Sequence, residues 1–404
     1  MLSLMLPGAP LFAVEVTSHG VADLRIISND AKQSYSLGGY GKFASAGDDL
    51  SLSQLGLQLT AKWDSGISLN GVLNAYSESG ESRAGVTELY LGYKSLPNDV
   101  GYRWENRTGY FYPHISLENR RHAWGNVDTL NSSTVNTWVG EEIRLLGTEF
   151  KATRLGKFNN ADYDISLTGS VFAGNDPAGA LLAWHGWTAS NRQTFLGQSR
   201  AFPDLPAMAD GQVLAGQAQK SSPFREIDNR LGYQLQLDWL KHNKGKAIIG
   251  LYHNRAKPFV VDDGDYGWDT KFLYAGISWR LAQGLTLTSQ ALAGSTLMQQ
   301  HDKIDVVNNT YHSAFVKLSK KYKKSTYTVR IEDFSVSDND SQIGDNNEED
   351  GNALTLNYSY QLSKDWLLST EYNWIKSDRF SRKYDDQAQT LIERQLQFAA
   401  KYFF

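Results

Sequence analysis

The chain of 404 residues has no cysteine, only 9 prolines and almost no excess of either charge, with 40 Lys+Arg against 44 Asp+Glu. Without cysteine there is no disulfide scaffold, no thiolate metal site and no cysteine nucleophile. A formal net charge of −4 argues against a general nucleic-acid binder, which needs a basic face. Long apolar runs are also missing, and no stretch of about eighteen apolar residues reads as a membrane-spanning helix. Helical periodicity is scarce. Aromatic residues are abundant instead: 11 Trp, 21 Tyr and 17 Phe spread along the whole length.

Catalytic patterns are absent as well. The eight histidines (19, 114, 122, 185, 242, 253, 301 and 312) show no HExxH context, and no serine sits in a GxSxG elbow. No phosphate-cradling glycine loop occurs. The expectation is a protein that is not an enzyme and carries no cofactor and no metal.

Met1 to Ala13 (MLSLMLPGAPLFA) is apolar, too short to cross a bilayer, and ends in small residues. It reads as the end of a secretory signal cut after Ala13, without the basic residues that open such a signal. Residues 14–34 read as a periplasmic lead-in, and 35–404 as one barrel domain.

The dominant hydrophobic period is two. In 51–63, Leu55, Leu57, Leu59, Ala61 and Trp63 alternate with Gln54, Gln58, Thr60 and Lys62. In 351–363, Leu354, Leu356, Tyr358, Tyr360 and Leu362 alternate with Thr355, Asn357, Ser359 and Gln361. Sixteen such segments follow one another, from 35–44 to 390–404. They are longer than the roughly 5–6 residues of a soluble strand and match the roughly 9–11 of a tilted strand in a bilayer. Connections alternate strictly. One set (64–66, 95–101, 156–161, 244–245, 283, 322–324, 364–365) is short and rich in turn residues such as Asp64-Ser65-Gly66. The other (45–50, 78–83, 113–142, 175–229, 257–269, 298–309, 338–350, 378–389) is mostly long. Trp63, Trp104, Trp239, Trp279, Trp366, Tyr163, Tyr322 and Tyr402 gather near the short-turn ends, where an interfacial girdle belongs. The fold class this predicts is all-β: a closed, transmembrane, up-and-down antiparallel barrel of sixteen strands. Closure is required because hydrocarbon offers no partner to an open sheet edge.

If one face meets lipid, the other lines water. Parity turns eleven basic residues inward (Lys42, Lys62, Lys94, Arg103, Arg107, Lys151, Arg280, Lys317, Lys321, Arg330, Lys401) and seven acidic ones (Glu88, Glu105, Glu149, Asp164, Asp238, Glu332, Glu371). Arg103, Glu105, Arg107, Glu149, Lys151, Lys317, Arg330 and Glu332 are the candidate pore lining. The long connection 113–142 is the candidate constriction, with His114, Glu118, Arg120, Arg121, Glu141 and Glu142 as its chemistry. Arginine opposite carboxylate across a narrow pore sets up a transverse field. Loop 175–229 is the longest and holds Pro177, Pro203, Pro206 and Pro223. In 338–350, Asp338, Asp340, Asp345, Glu348, Glu349 and Asp350 form an acidic run without a basic residue. A solvated run is preferred there over a divalent-cation site at a lipopolysaccharide surface.

The final strand ERQLQFAAKYFF (393–404), with Phe398, Tyr402 and Phe404 on one face, resembles the terminal signature of Gram-negative outer-membrane porins. YLGYK (90–94), GYFYPHISLEN (109–119) and NTWVGEEIRLLGTEF (136–150) are loosely similar to the phosphate-selective porin group. The resemblance implies the bacterial outer membrane, with its lipid and lipopolysaccharide as surroundings, and a passive channel for small polar or anionic solutes, often a homotrimer. In the general porins it resembles, the loop corresponding to 113–142 folds into the lumen. The mild basic excess predicts a weak anion preference. The competing class is a non-conducting receptor or structural barrel whose long loops bind a ligand.

Overall fold

The computed structural model describes residues 14–78 and 81–404; the signal reading of 1–13 lies outside them. Sixteen antiparallel strands close into one barrel. They are β1 (Val14–Asn29), β2 (Asp49–Trp63), β3 (Ile67–Glu78), β4 (Glu81–Lys94), β5 (Tyr102–Phe111), β6 (Leu145–Arg154), β7 (Tyr163–Ala173) and β8 (Gly232–Lys241). The second half is β9 (Gly245–His253), β10 (Asp269–Ala282), β11 (Leu285–Gln299), β12 (Asp305–Tyr322), β13 (Ser325–Asp338), β14 (Glu349–Gln361), β15 (Trp366–Arg379) and β16 (Thr390–Phe403). Every strand pairs with its sequence neighbour, and β16 pairs with β1 from Val21↔Phe403 to Asn29↔Gln395.

The strand number agrees with the periodicity, but the first strand is elsewhere. Residues 14–29, read as a periplasmic lead-in, are β1. Residues 35–44, read as the first strand, lie in the β1–β2 loop and begin with a 3₁₀ turn at Tyr35–Leu37. The sequence is ambiguous here for a physical reason. Ser18, Gly20 and Ser28 dilute the lipid-facing row of β1, and Val21 and Ile27 are buried on its inner row. Gly20 is covered from outside by Phe404: a Cβ there would meet the Phe404 ring at 2.2 Å. The Gly20 N–H donates to the Phe404 carbonyl at 2.7 Å, which fastens the end of the seam.

One barrel end carries tight turns, the other long loops. At the tight end Gly284 adopts φ +68, and a Cβ would lie 2.4 Å from the Lys321 carbonyl, so this turn requires glycine. At the other end the strands run further than expected, and the connection read as 298–309 shrinks to 300–304.

The outer surface is apolar. Leu237, Ile249, Leu273, Val316, Ile331 and Phe398 are exposed on it. Trp239 stacks on Trp279 and Trp366 tilts against Tyr402 near the tight-turn end, as an aromatic belt at a bilayer interface does. Among the described residues no helix is long and apolar enough to cross a membrane; the strands do that work.

The inside is not an empty tube. Loop 112–144 carries helix α1 (Thr134–Glu142), and loop 174–231 carries the short helix α2 (Ala180–His185). Every residue of both helices is buried. They pack an apolar core against inward residues of the wall. Trp138 stands edge-on to Trp187, Phe272 and Tyr311, with ring centroids 5.9, 5.3 and 5.4 Å away.

Candidate functional site: two arcs of the lumenal wall

Period two brings the charged residues of many strands onto one inner surface, and the loops then divide that surface into two arcs. The first arc runs from β11 to β16 and on to β1. Loop 112–144 is clipped to it. The N–H of Thr134 donates to Glu332 at 2.7 Å, and those of Leu130 and Asn131 donate to Glu371 at 2.5 and 2.9 Å. Asn131 reaches Gln395 at 3.0 Å. Arg330 grips the loop carbonyls of Asn131 and Ser132, both at 3.0 Å, and pairs with Glu118 at 3.3 Å and Glu332 at 2.7 Å. Lys317 donates to the Val127 carbonyl at 3.0 Å and lies 3.6 Å from Glu118. These charges are removed from water.

The second arc runs from β2 to β9 and stays open to solvent. Arg103 pairs with Glu105 at 3.0 Å, and Lys94 reaches the same carboxylate at 3.3 Å. Arg107 holds Glu149 at 2.9 Å, while Lys246 and Lys151 hold Asp238 at 2.6 and 3.9 Å. At Glu149 and Asp238 the bases lie above the acids, while Arg103 and Glu105 are equally exposed, each at 27%. Arg107 keeps 13% of its side chain exposed over 3% for Glu149; Lys151 and Lys246 keep 21% and 32% over 5% for Asp238. Water therefore meets mostly ammonium and guanidinium groups. A recess of about 300 Å³ lies here, lined by Gln58, Glu88, Arg107, His114, Arg120 and Lys246 among others.

The predicted pore lining splits accordingly. Arg103, Glu105, Arg107, Glu149 and Lys151 belong to the open arc. Lys317, Arg330 and Glu332 lie under the clipped loop and meet no passage, because the loop backbone needs their charges as hydrogen-bond partners. Lys42, assigned to a strand by parity, sits in the β1–β2 loop, fully buried and paired with Glu349.

The predicted constriction residues split too. His114 and Arg120 are exposed at the recess, with Arg121 beside them, its guanidinium 5.3 Å from the Phe403 ring centre. The positive charge of Arg107, then burial, Lys151 and Lys246, hold the His114 imidazole well below its ordinary value.

Glu118, Glu141 and Glu142 are buried and serve the loops. Burial alone would raise the Glu118 carboxyl, but Arg330, Lys317 and the hydroxyl and amide of Ser133 hold it below the usual carboxylate range. Glu141 meets His185 at 3.2 Å and Arg200 at 3.1 Å. Burial opposes its ionisation, and these two partners outweigh it. Glu142 accepts the N–H groups of Leu181 and Gly179 at 2.9 and 3.2 Å and the Trp138 indole at 2.5 Å. Burial nevertheless pushes its carboxyl up to about 8. Loops 112–144 and 174–231 are thus joined through this helix end.

The acidic run 338–350 is not uniformly solvated either. Glu349 is buried against Lys42 and Arg379, and Asp345 is buried as well. Residues that sequence reasoning missed include Arg25, which pairs with Asp23 at 2.6 Å and reaches Asn131 at 3.1 Å. Their i, i+2 spacing is the same signal that marks Arg103 and Glu105, hidden because 14–29 reads weakly as a strand.

No family model matches the sequence, and no curated protein matches it either. Solved structures do. The outer membrane channel DcaP of Acinetobacter baumannii superposes with a TM-score of 0.57 at 12% identity, covering 97% of each chain. The trimer form of OmpT, an outer membrane protein of Vibrio cholerae, gives 0.53 at 9% identity over 97% of this chain and 99% of that one. An anion-selective porin from Comamonas acidovorans gives 0.52 at 12% identity over 97% of this chain and all of the other. At such identities the likeness is one of fold: this chain folds as a sixteen-stranded porin-type barrel.

Proposed function

We propose that this protein is a bacterial outer-membrane porin, a passive channel for small polar solutes with a preference for anions. The passage runs along the β2–β9 arc, beside loop 112–144, with Arg103, Arg107, His114, Arg120, Arg121, Lys151 and Lys246 along its sides. The observation that carries this reading is the layering at Glu149 and Asp238 on the open arc, where Arg107, Lys151 and Lys246 are the more exposed partners and the carboxylates lie beneath them. Such a surface raises the local concentration of anions and repels cations. The apolar outer band, the aromatic belt and the porin-type fold support the outer membrane as the location, with lipid and lipopolysaccharide as surroundings. A homotrimer is part of the proposal, to be tested by the mass of the detergent-extracted complex.

The test is conductance in planar bilayers with pure folded protein. Steady steps with an anion-directed reversal potential are expected in a salt gradient. Replacing chloride by phosphate tests the looser similarity to phosphate-selective porins. Cation selectivity would overturn the reading of the arc. A second reading is favoured by one observation, the buried core that α1 and α2 build inside the barrel. It makes the protein a plugged receptor. No conductance from the folded chain, with steps appearing after residues 180–221 are replaced by a short glycine-serine link, would select it.

A further inference from the structure

Loop 174–231 leaves β7 and returns to β8 through a narrow neck, and three carboxylates meet there. Asp176 lies just after β7, and Glu226 and Asp228 just before β8. One oxygen of each lies within 4.8 Å of the others. Asp176 is 1% exposed. Its Oδ2 accepts the N–H groups of Ile227 and Asp228 at 2.6 and 3.2 Å. Glu226 Oε2 accepts the N–H of Gly174 at 2.5 Å. Asp228 Oδ2 accepts the N–H of Lys257, from the next loop, at 2.5 Å. That leaves Asp176 Oδ1 and Glu226 Oε1 buried without a hydrogen-bond partner among the described residues. Arg225 is committed elsewhere, to Asp262, Asp263 and Asp265. Three carboxyl groups thus share one space with no ion-pair partner among the described residues, and buried oxygens of this kind are costly unless satisfied.

We propose that this neck is a calcium site, with Asp176, Glu226 and Asp228 as its protein ligands. The donor set is all carboxylate, the chemistry of a hard cation and not of zinc or copper. Oxygens bound to one Ca²⁺ at roughly 2.4 Å are at most about 4.8 Å apart, and the three oxygens here lie within that limit. The partly buried, loop-borne geometry suits calcium better than magnesium, which demands a strict octahedron and holds its water. The ion joins the two stems of the loop, and through the Asp228 contact with Lys257 it also ties in loop 254–268. It thereby fixes the base of the segment that delivers α2 to the lumen. The site does not depend on whether the lumen conducts.

The experiment is equilibrium dialysis of Ca²⁺ against the full chain, folded in detergent free of lipopolysaccharide, in a background of excess Mg²⁺. Terbium luminescence provides a second readout, sensitised by Trp268, whose N–H donates to the Asp176 carbonyl at 2.8 Å. One Ca²⁺ per chain is expected, with a Kd at or below ~10⁻⁴ M. Asp176→Asn should weaken it by about tenfold or more. Glu226→Gln, a change at a less buried position, should do the same and covers the case in which the first variant fails to fold. Asp345→Asn, in the separate acidic run, should leave it unchanged. No bound Ca²⁺ at 1 mM, binding indifferent to the neck variants, or binding lost only with Asp345→Asn would each overturn the proposal.

Discussion

Arg107 and Arg330 both project into the barrel, and only one of them meets water. Arg107 lies over Glu149 on the open arc, while Arg330 is wholly enclosed between Glu118, Glu332 and the loop carbonyls. The same charge therefore does two jobs. Arg107→Gln, or the pair Arg120→Ala and Arg121→Ala, should lower the anion-to-cation permeability ratio by about two- to threefold in reversal-potential measurements, because each removes positive charge from a confined aqueous path. Arg330→Met should leave that ratio unchanged. It should cost about 3–5 kcal/mol in denaturant unfolding, because it strands the buried Glu332 without its cation, leaves Glu118 only Lys317, and frees the loop carbonyls of Asn131 and Ser132. Parity alone gives both arginines the same inward address. Which of them faces water depends on where a loop distant in sequence comes to rest, and no local pattern in 330 encodes that.

At the scale of elements, loop 112–144 behaves as a strap held by carboxylates to one wall, through Glu118, and to loop 174–231, through Glu141. Glu118 and Glu141 both have carboxyls held below their ordinary values by cationic partners. Their contribution is complete above the unfolded carboxylate value and is lost as pH falls below it toward the folded values. Protection of the 112–144 amides, corrected for intrinsic exchange, should therefore be high at pH 7 and fall as pH drops below the usual carboxylate range, ahead of protection in the strands. A second element-scale prediction concerns the seam. Gly20→Leu must displace the Phe404 ring, so folded barrel should form in lower yield and lose its heat-resistant mobility in detergent gels at a lower temperature. The strands at 51–63 and 351–363 are legible in the sequence because leucine and tyrosine alternate cleanly with polar residues. Val14–Asn29 is not, because its inner row carries the buried apolar Val21 and Ile27, and its outer row carries Gly20, which Phe404 covers. The α1 segment is hidden for a related reason: all of its faces are buried, so no amphipathic stripe marks it.

For the whole molecule, the plug formed by loops 112–144 and 174–231 sets how much of the bore remains. Replacing residues 180–221 by a short link removes Trp184 and Trp187 from the interior, and unit conductance should rise severalfold while the apolar outer band keeps the barrel in the bilayer. The closing seam has a different kind of consequence. Residues 21–29 find their partners at 395–403, so almost the whole polypeptide must be delivered before the ring can shut. The thermodynamic toll of so wide a closure is small, since each doubling of a loop costs only about 0.6 kcal/mol. The toll in time is larger, because pairings this distant form slowly and leave bare strand edges waiting. Between synthesis and insertion the ribbon therefore needs an escort that shields its first strand until its last one arrives.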